Sequence, residues 1–190
     1  MTVFSVNLRR CVSVLGFAAL TAVALQAHAL TKPARTSYTG TPPKSILFVG
    51  NSFFYYNNSM HSQVLGLARA ADAANKDAYR YSSVTISGSG FDWHDVDSYF
   101  KNIGKYSFVG DNEIVFNKFK NPFDAAILND CSQCPIHPKL KATFHQYAKK
   151  HSDTVRKHGG QPVFFMTWAY KDKPEMTEQL AEEYTIAGNK

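Results

Sequence analysis

Ser45-Ile46-Leu47-Phe48-Val49-Gly50-Asn51-Ser52 (SILFVGNS) is the stretch whose reading decides the fold. Its apolar run, Ile46 to Val49, is short and rich in branched or aromatic side chains, which suits a strand buried on both faces. Gly50 permits a sharp turn where that strand stops. Ser52 is then presented just past the carboxyl end of a first parallel strand, where open α/β sheets place their ligands. The same letters also fit a glycine-terminated strand and an ordinary polar turn, so the rest of the chain has to decide.

Working outward, Asn57-Asn58-Ser59 offers capping side chains for a helix over Met60–Ala74, whose Val64, Leu65, Leu67, Ala68 and Ala71 recur at near-helical spacing. Tyr81–Ser87 (YSSVTIS) reads as a second strand ending at Gly88-Ser89-Gly90, and Trp93–Phe100 as a short helix. Lys101 to Pro122 carries aromatics and glycines without a clean period. Asp124–Asn129 (DAAILN) is a third strand. Pro138–His158 is the best helix, with Leu140, Phe144, Tyr147, Ala148 and Val155 on one face and Gly159-Gly160 as its stop. Pro162–Trp168 (PVFFMTW) is a fourth strand, and Pro174 to about Ile186 a last helix. Strands alternating with helices predict an α/β fold with a parallel sheet covered on both faces.

Upstream, Arg9-Arg10, the apolar stretch Val12–Leu25 and Ala27-His28-Ala29 form the pattern of a cleaved secretory signal over residues 1–29. The apolar stretch is short for a permanent membrane span. The expected location is therefore outside the cytoplasm, periplasmic or secreted. Residues 30–44, with Pro33, Pro42 and Pro43, read as an extended leader, and 45–190 as one domain. Removing the signal lowers the formal net charge from +6 to +4. Lys149, Lys150, Arg156 and Lys157 sit at spacings of a solvated helix face, so a nucleic-acid partner is not expected. Of three cysteines, Cys131 and Cys134 survive cleavage, and in an oxidising compartment they predict a local disulfide. A two-cysteine metal half-site would lack partners at ligand spacing, so neither metal nor cofactor is expected.

Three strand ends now present polar groups on one edge: Ser52, the Gly88-Ser89-Gly90 turn, and Asn129-Asp130. Acyl transfer needs a nucleophile and donors aimed at a developing oxyanion. A serine hydroxyl, a closely approachable glycine N–H and an asparagine amide supply that set. At these positions the chain resembles the SGNH/GDSL hydrolase superfamily, in its branch with GNS in place of GDS, over roughly Lys44 to Trp168. The resemblance implies a flavodoxin-like three-layer fold and hydrolysis of esters, often acetyl groups on sugars. It implies Ser52 as nucleophile, with the Ser52 and Gly88 N–H groups and the Asn129 side chain as oxyanion donors. Gly88 is the better match to the family's glycine, with Gly90 a close alternative, because the SGSGFDWH context resembles the branch whose glycine lies six residues before a histidine. Asn51, Gly90 and His94 are the expected substrate-side residues.

The chain departs from that pattern in one block. The family's D-x-x-H, which supplies the base and its orienting carboxylate, has no match, since none of the seven histidines follows an Asp by three positions. The expectation is a chain truncated before that block, its last strand and helix absent, and hence an impaired esterase. His94, flanked by Asp92 and Asp95, is the best local substitute base; the competing reading is a packing histidine beside Trp93. Phe53 to Tyr56 either line a substrate cleft or pack. Two rival functions stay open. One is a non-catalytic carbohydrate-binding remnant of the fold. The other is thiol redox at Cys131-Ser132-Gln133-Cys134-Pro135, although Asp130 stands where the thioredoxin pattern has Trp.

Overall fold

The computed structural model describes residues 30–101, 105–110, 113–117 and 122–190. The expected export signal, residues 1–29, lies outside the described residues. Among the described residues six strands follow one another: β1 (Ser45–Gly50), β2 (Arg80–Thr85), β3 (Lys105–Gly110), β4 (Glu113–Asn117), β5 (Ala125–Leu128) and β6 (Gln161–Phe164). The helices are α1 (Ser52–Tyr55), α2 (Met60–Ala71), α3 (Val96–Lys101), α4 (Lys141–Lys157) and α5 (Met176–Gly188). Short 3-10 turns cover Ala73–Ala78 and Phe91–Trp93.

One sheet has the order β2-β1-β5-β6 with every neighbouring pair parallel. β1 lies in its interior, and all six of its residues are buried, as its unbroken apolar run predicts. Its side chains alternate between faces. Leu47 and Val49 join Phe91, Val96, Phe100, Phe144, Val155 and Leu180 in a core beneath α3, α4 and α5. Ile46 and Phe48 point the other way, onto Phe54, Met60 and Val64 of α1 and α2. The sheet is thus the middle of three layers. Each fully buried Phe, Leu or Val of these clusters contributes about 1.5–3 kcal/mol by leaving water.

The boundaries shift from the sequence reading for local reasons. β2 stops at Thr85; Ile86 N–H still bonds the Gly50 carbonyl at 3.0 Å, and Gly88, at φ 71°, then turns the chain away. β6 stops at Phe164, because after the Phe165 N–H to Leu128 carbonyl bond (2.9 Å) β5 has no further ladder to offer. α4 begins at Lys141 rather than Pro138, since the His137 carbonyl takes both the Leu140 and Lys141 N–H groups in a preceding turn. Its expected stop holds: Gly159 is left-handed at φ 78°, and Gly160 N–H returns to the Val155 carbonyl at 3.0 Å.

Two further differences are larger. Asn57, Asn58 and Ser59 do not cap α2 through their side chains. All three adopt left-handed backbone, φ 54°, 66° and 65°, and Ser59 makes no side-chain cap bond. Asparagine tolerates that region better than most residues, so these residues shape a turn. The segment without a clean period contains an antiparallel hairpin, β3 with β4, in a sheet of its own. The leader runs along α5: Thr31 donates to Glu182, Ala34 N–H to Asn189 Oδ1 at 2.7 Å, and Asn189 Nδ2 to the Lys32 carbonyl at 3.0 Å. No helix among the described residues is long and apolar enough to cross a membrane.

Candidate functional site

The register places the ends of β1, β2 and β5 side by side. Gly50 lies opposite Thr85, and Asn129 N–H bonds the Val49 carbonyl at 2.9 Å. The segments after these three ends, carrying Ser52, Gly88-Ser89-Gly90 and Asn129-Asp130, therefore emerge on one edge of the sheet.

Asn51 ties them together. It caps α1, its Oδ1 accepting Phe53 N–H at 3.2 Å, while its Nδ2 donates to the carbonyls of Ser89 (2.9 Å) and Asp130 (3.1 Å). Asn51 is buried and its polar atoms are used internally, so it holds the loops rather than facing a substrate. Half-buried Ser52 follows as the first residue of α1. Neither its N–H nor its Oγ makes a hydrogen bond among the described residues, consistent with the open first turn of a helix.

In the second loop, Gly88 is exposed, and a side chain there would meet open space. Its N–H also makes no hydrogen bond among the described residues. Gly90 differs: it is buried, and a Cβ would fall 3.0 Å from Asp130 Oδ1 and 2.9 Å from Asp92 Oδ1. Its missing side chain lets the loop close on Asp130, which gives Gly90 a packing role in this loop.

His94 is buried, and Trp93 is the exposed one of the pair, at 60 %. The His94 ring lies between Ser89 Oγ, 3.0 Å from Nε2, and Tyr99 OH, 3.2 Å from Nδ1. Ser89 gives its single hydrogen to the Gly50 carbonyl at 3.2 Å. The arrangement is satisfied throughout when Nε2–H donates to Ser89 and Nδ1 accepts from Tyr99. Burial first, then the neighbouring His151, lowers the His94 pKa to about 4, against weaker raising effects of Gly50 and Asp92. His94 is therefore a neutral, fully engaged histidine that pins the glycine loop, neither a substrate contact nor a free base. The other described histidines are engaged elsewhere: His61 with Ser62, His137 with Lys139, His145 with Glu183, His151 with the Phe91 carbonyl and His158 with Asp97.

Asn129 is fully buried at the end of β5. Its Nδ2 gives one hydrogen to the Phe165 carbonyl at 3.2 Å, which leaves the second hydrogen of that amide for another acceptor. Its Oδ1 has no partner among the described residues. Asp130, next in the chain and part of the same polar strand end, takes a role that the sequence does not assign. Its Oδ1 accepts N–H from both Phe91 (2.9 Å) and Cys131 (2.8 Å), joining the second and third loops. Burial raises its pKa to about 6, outweighing the lowering by those two amides. Cys131 and Cys134 form a disulfide in the same loop; with Asp130 they make a three-residue cluster, but joined sulfurs offer no thiolate to a metal.

On the rim, Phe53 meets Trp168 edge-to-face with ring centroids 4.8 Å apart, and Trp168 is 59 % exposed. The Ser132 and Tyr170 hydroxyls pair at 2.6 Å. The arrangement offers a serine hydroxyl at a helix start, the Ser52 and Gly88 amides without a partner among the described residues, and a spare amide hydrogen on Asn129.

No family model and no curated protein matches the chain. Solved structures do. A protein from Slackia heliotrinireducens assigned to the SGNH hydrolases superposes with a TM-score of 0.55 at 16% identity, covering 75% of this chain and 72% of that one. The psychrotrophic esterase EstA from a Pseudoalteromonas species, solved inhibited by monoethylphosphonate, gives a TM-score of 0.48 at 9% identity, over 76% and 71% of the two chains. A protein from Desulfitobacterium hafniense DCB-2 assigned to the G-D-S-L lipolytic family gives 0.47 at 12%, over 75% and 68%. The parallel sheet, its layers and the first of these superpositions establish that the chain has the SGNH-hydrolase fold.

Proposed function

We propose that the protein is an exported serine ester hydrolase of the SGNH type, acting on small acyl or acetyl esters, carbohydrate esters among them. Ser52 Oγ attacks the ester carbonyl. The Ser52 and Gly88 N–H groups and the spare hydrogen of Asn129 Nδ2 receive the charge that develops on its oxygen. One observation carries the reading: the Ser52 and Gly88 amides make no hydrogen bond among the described residues, although the loops bearing them are tied in place by Asn51, Ser89 and Asp130. Free donors held in a fixed frame are what oxyanion stabilisation requires, because they need no reorganisation during reaction. The exposed Trp168 and its partner Phe53 give the acyl or sugar portion an apolar wall.

No described histidine bonds Ser52, so its hydroxyl stays protonated near neutral pH and its turnover is slow. A positioned base typically contributes a hundred- to ten-thousandfold. The test is reaction with p-nitrophenyl acetate and with a fluorophosphonate probe. The expected result is weak turnover and slow labelling, mapped by mass spectrometry to Ser52 and lost in Ser52→Ala. Labelling that persists in Ser52→Ala would overturn the assignment. Acetylated-sugar binding without labelling would point instead to a non-catalytic carbohydrate-binding role.

A further inference from the structure

The ester-hydrolase reading leaves one chemically equipped group unused. Cys131 and Cys134 follow β5 as Cys-Ser-Gln-Cys-Pro and are joined as a disulfide. Their surroundings are unequal. Cys131 is half-buried, whereas Cys134 is buried against Gly90, where a Cβ would lie 3.5 Å from its Sγ. Cys134 N–H points at Cys131 Sγ, 3.0 Å away. Charge on a reduced Cys131 would therefore meet a donor already in place. The buried carboxylate of Asp130 lies with its oxygen and both sulfurs all within 4.8 Å of one another.

We propose that Cys131 and Cys134 are a redox-active couple that exchanges with low-molecular-weight thiols, with Asp130 moving the proton of Cys134. An incoming thiolate attacks the more accessible Cys131 sulfur. The Cys131–Cys134 bond breaks, a mixed disulfide forms, and the Cys134 sulfur leaves as a thiolate that takes its proton from Asp130. A second thiolate then attacks the external sulfur of the mixed disulfide. It departs as the external disulfide and leaves Cys131 as a thiolate held by the Cys134 N–H. Of the two protons released as the external thiols ionise, one restores the proton that Asp130 gave to Cys134 and the other goes to the Cys131 thiolate. The net exchange converts one protein disulfide and two thiols into one protein dithiol and one external disulfide.

Asp130 is poised for this because its pKa, raised to about 6 by burial, leaves both protonation states accessible near neutral pH. The titratable groups that face it are Asp92 from the Phe91–Trp93 turn and Tyr184 from α5. The Asp92 charge disfavours a charge on Asp130, whereas Tyr184, its pKa pushed far up by burial, stays neutral. The exchange is independent of Ser52, and its test separates it from the esterase reading.

The experiment uses the full chain carrying Cys11→Ser, incubated with reduced glutathione under native conditions and trapped with a maleimide at intervals. The expected result is reversible reduction of the pair at a rate unchanged by Ser52→Ala. Asp130→Asn keeps an oxygen acceptor for the Phe91 and Cys131 amides, and should slow reduction on the order of tenfold or more. In the same background the rate per glutathione thiolate should fall as pH rises through about 6, an inflection absent from Asp130→Asn. A disulfide that glutathione reduces only after denaturation would overturn the proposal, as would equal rates in the two folded proteins. Should Asp130→Asn fail to fold, a rate per thiolate that is flat across pH 6 overturns it.

Discussion

The side-chain amide of Asn51 donates to the main-chain carbonyl of Asp130 at 3.1 Å, across the gap between the end of β1 and the end of β5. The same nitrogen reaches the Ser89 carbonyl beyond β2 at 2.9 Å. One buried amide thereby fixes the relative height of three loops, and with them Ser52, Gly88 and Asn129. Asn51→Ala strips two carbonyls and the Phe53 N–H of their side-chain partner. An unsatisfied buried polar group costs about 1–3 kcal/mol, so this variant should lose roughly 2–4 kcal/mol in urea denaturation. Loss of less than about 0.5 kcal/mol would mean that water replaces the amide freely and that the loops are not fixed by it.

The two glycines of the second loop should respond differently to alanine. At Gly90 the new methyl would press on Asp130 Oδ1, a buried atom held by two amides, and on the exposed Asp92. Overpacking of that kind costs about 1–3 kcal/mol. At Gly88 the methyl enters open space, and the penalty is the left-handed backbone at φ 71°, about 1 kcal/mol. Denaturation midpoints of the two variants should therefore fall in the order wild type, Gly88→Ala, Gly90→Ala. The reverse order would place Gly90, not Gly88, on the open side of the loop.

Trp168 and Trp93 are the chain's two tryptophans, and both are exposed. Only Trp168 packs on Phe53, the neighbour of Ser52. Trp168→Ala should cost no more than about 1.5 kcal/mol of stability, the worth of one aromatic pair. It should raise KM for aryl esters several-fold, whereas Trp93→Ala leaves KM unchanged. A Trp93→Phe protein, with Trp168 as sole tryptophan, should change its emission when acetylated sugar is added. If the emission change follows Trp93 instead, the substrate wall belongs to the Phe91–Trp93 turn.

The parallel sheet was legible because burial on both faces leaves a short, unbroken apolar run, as in Ile46–Val49 and Ala125–Leu128, and because glycine or asparagine ends each run. The positions of Ser52, Gly88 and Asn129 followed from the same strand ends. The inward roles of Asn51 and Gly90 were not legible, whereas a packing His94 is one of the two readings the sequence allows. The roles of Asn51 and Gly90 depend on contacts between loops about 40 to 80 residues apart, and a polar residue beside a catalytic motif looks the same in sequence whether it faces substrate or core. The sequence places Asp130 at the third strand end but not its role as a tie, because its two amide partners lie on different loops. The β3–β4 hairpin packs in a sheet of its own and so carries no signature of the main core.

Asp130 and His94 make opposite demands on pH. Asp130, raised from 3.8 to about 6, is protonated in the folded protein and ionised in the unfolded chain between those values. It therefore gives stability below about pH 4 that is lost as pH rises through 6. His94, lowered from 6.5 to about 4, is neutral when folded and charged when unfolded across that window. Its contribution is present above pH 6.5 and is lost as pH falls through 4. At 1.36 kcal/mol per unit, each effect is at most about 3 kcal/mol. In the wild type they largely offset one another between pH 4 and 6, with His151, also lowered by burial, tilting the balance toward higher pH. Asp130→Asn removes one side of this opposition. Its stability, measured by urea denaturation, should climb more steeply than wild type from pH 4 to 6 and exceed it at pH 7. Parallel profiles for the two proteins would mean that Asp130 is ionised in the fold throughout that range, held by the Phe91 and Cys131 amides.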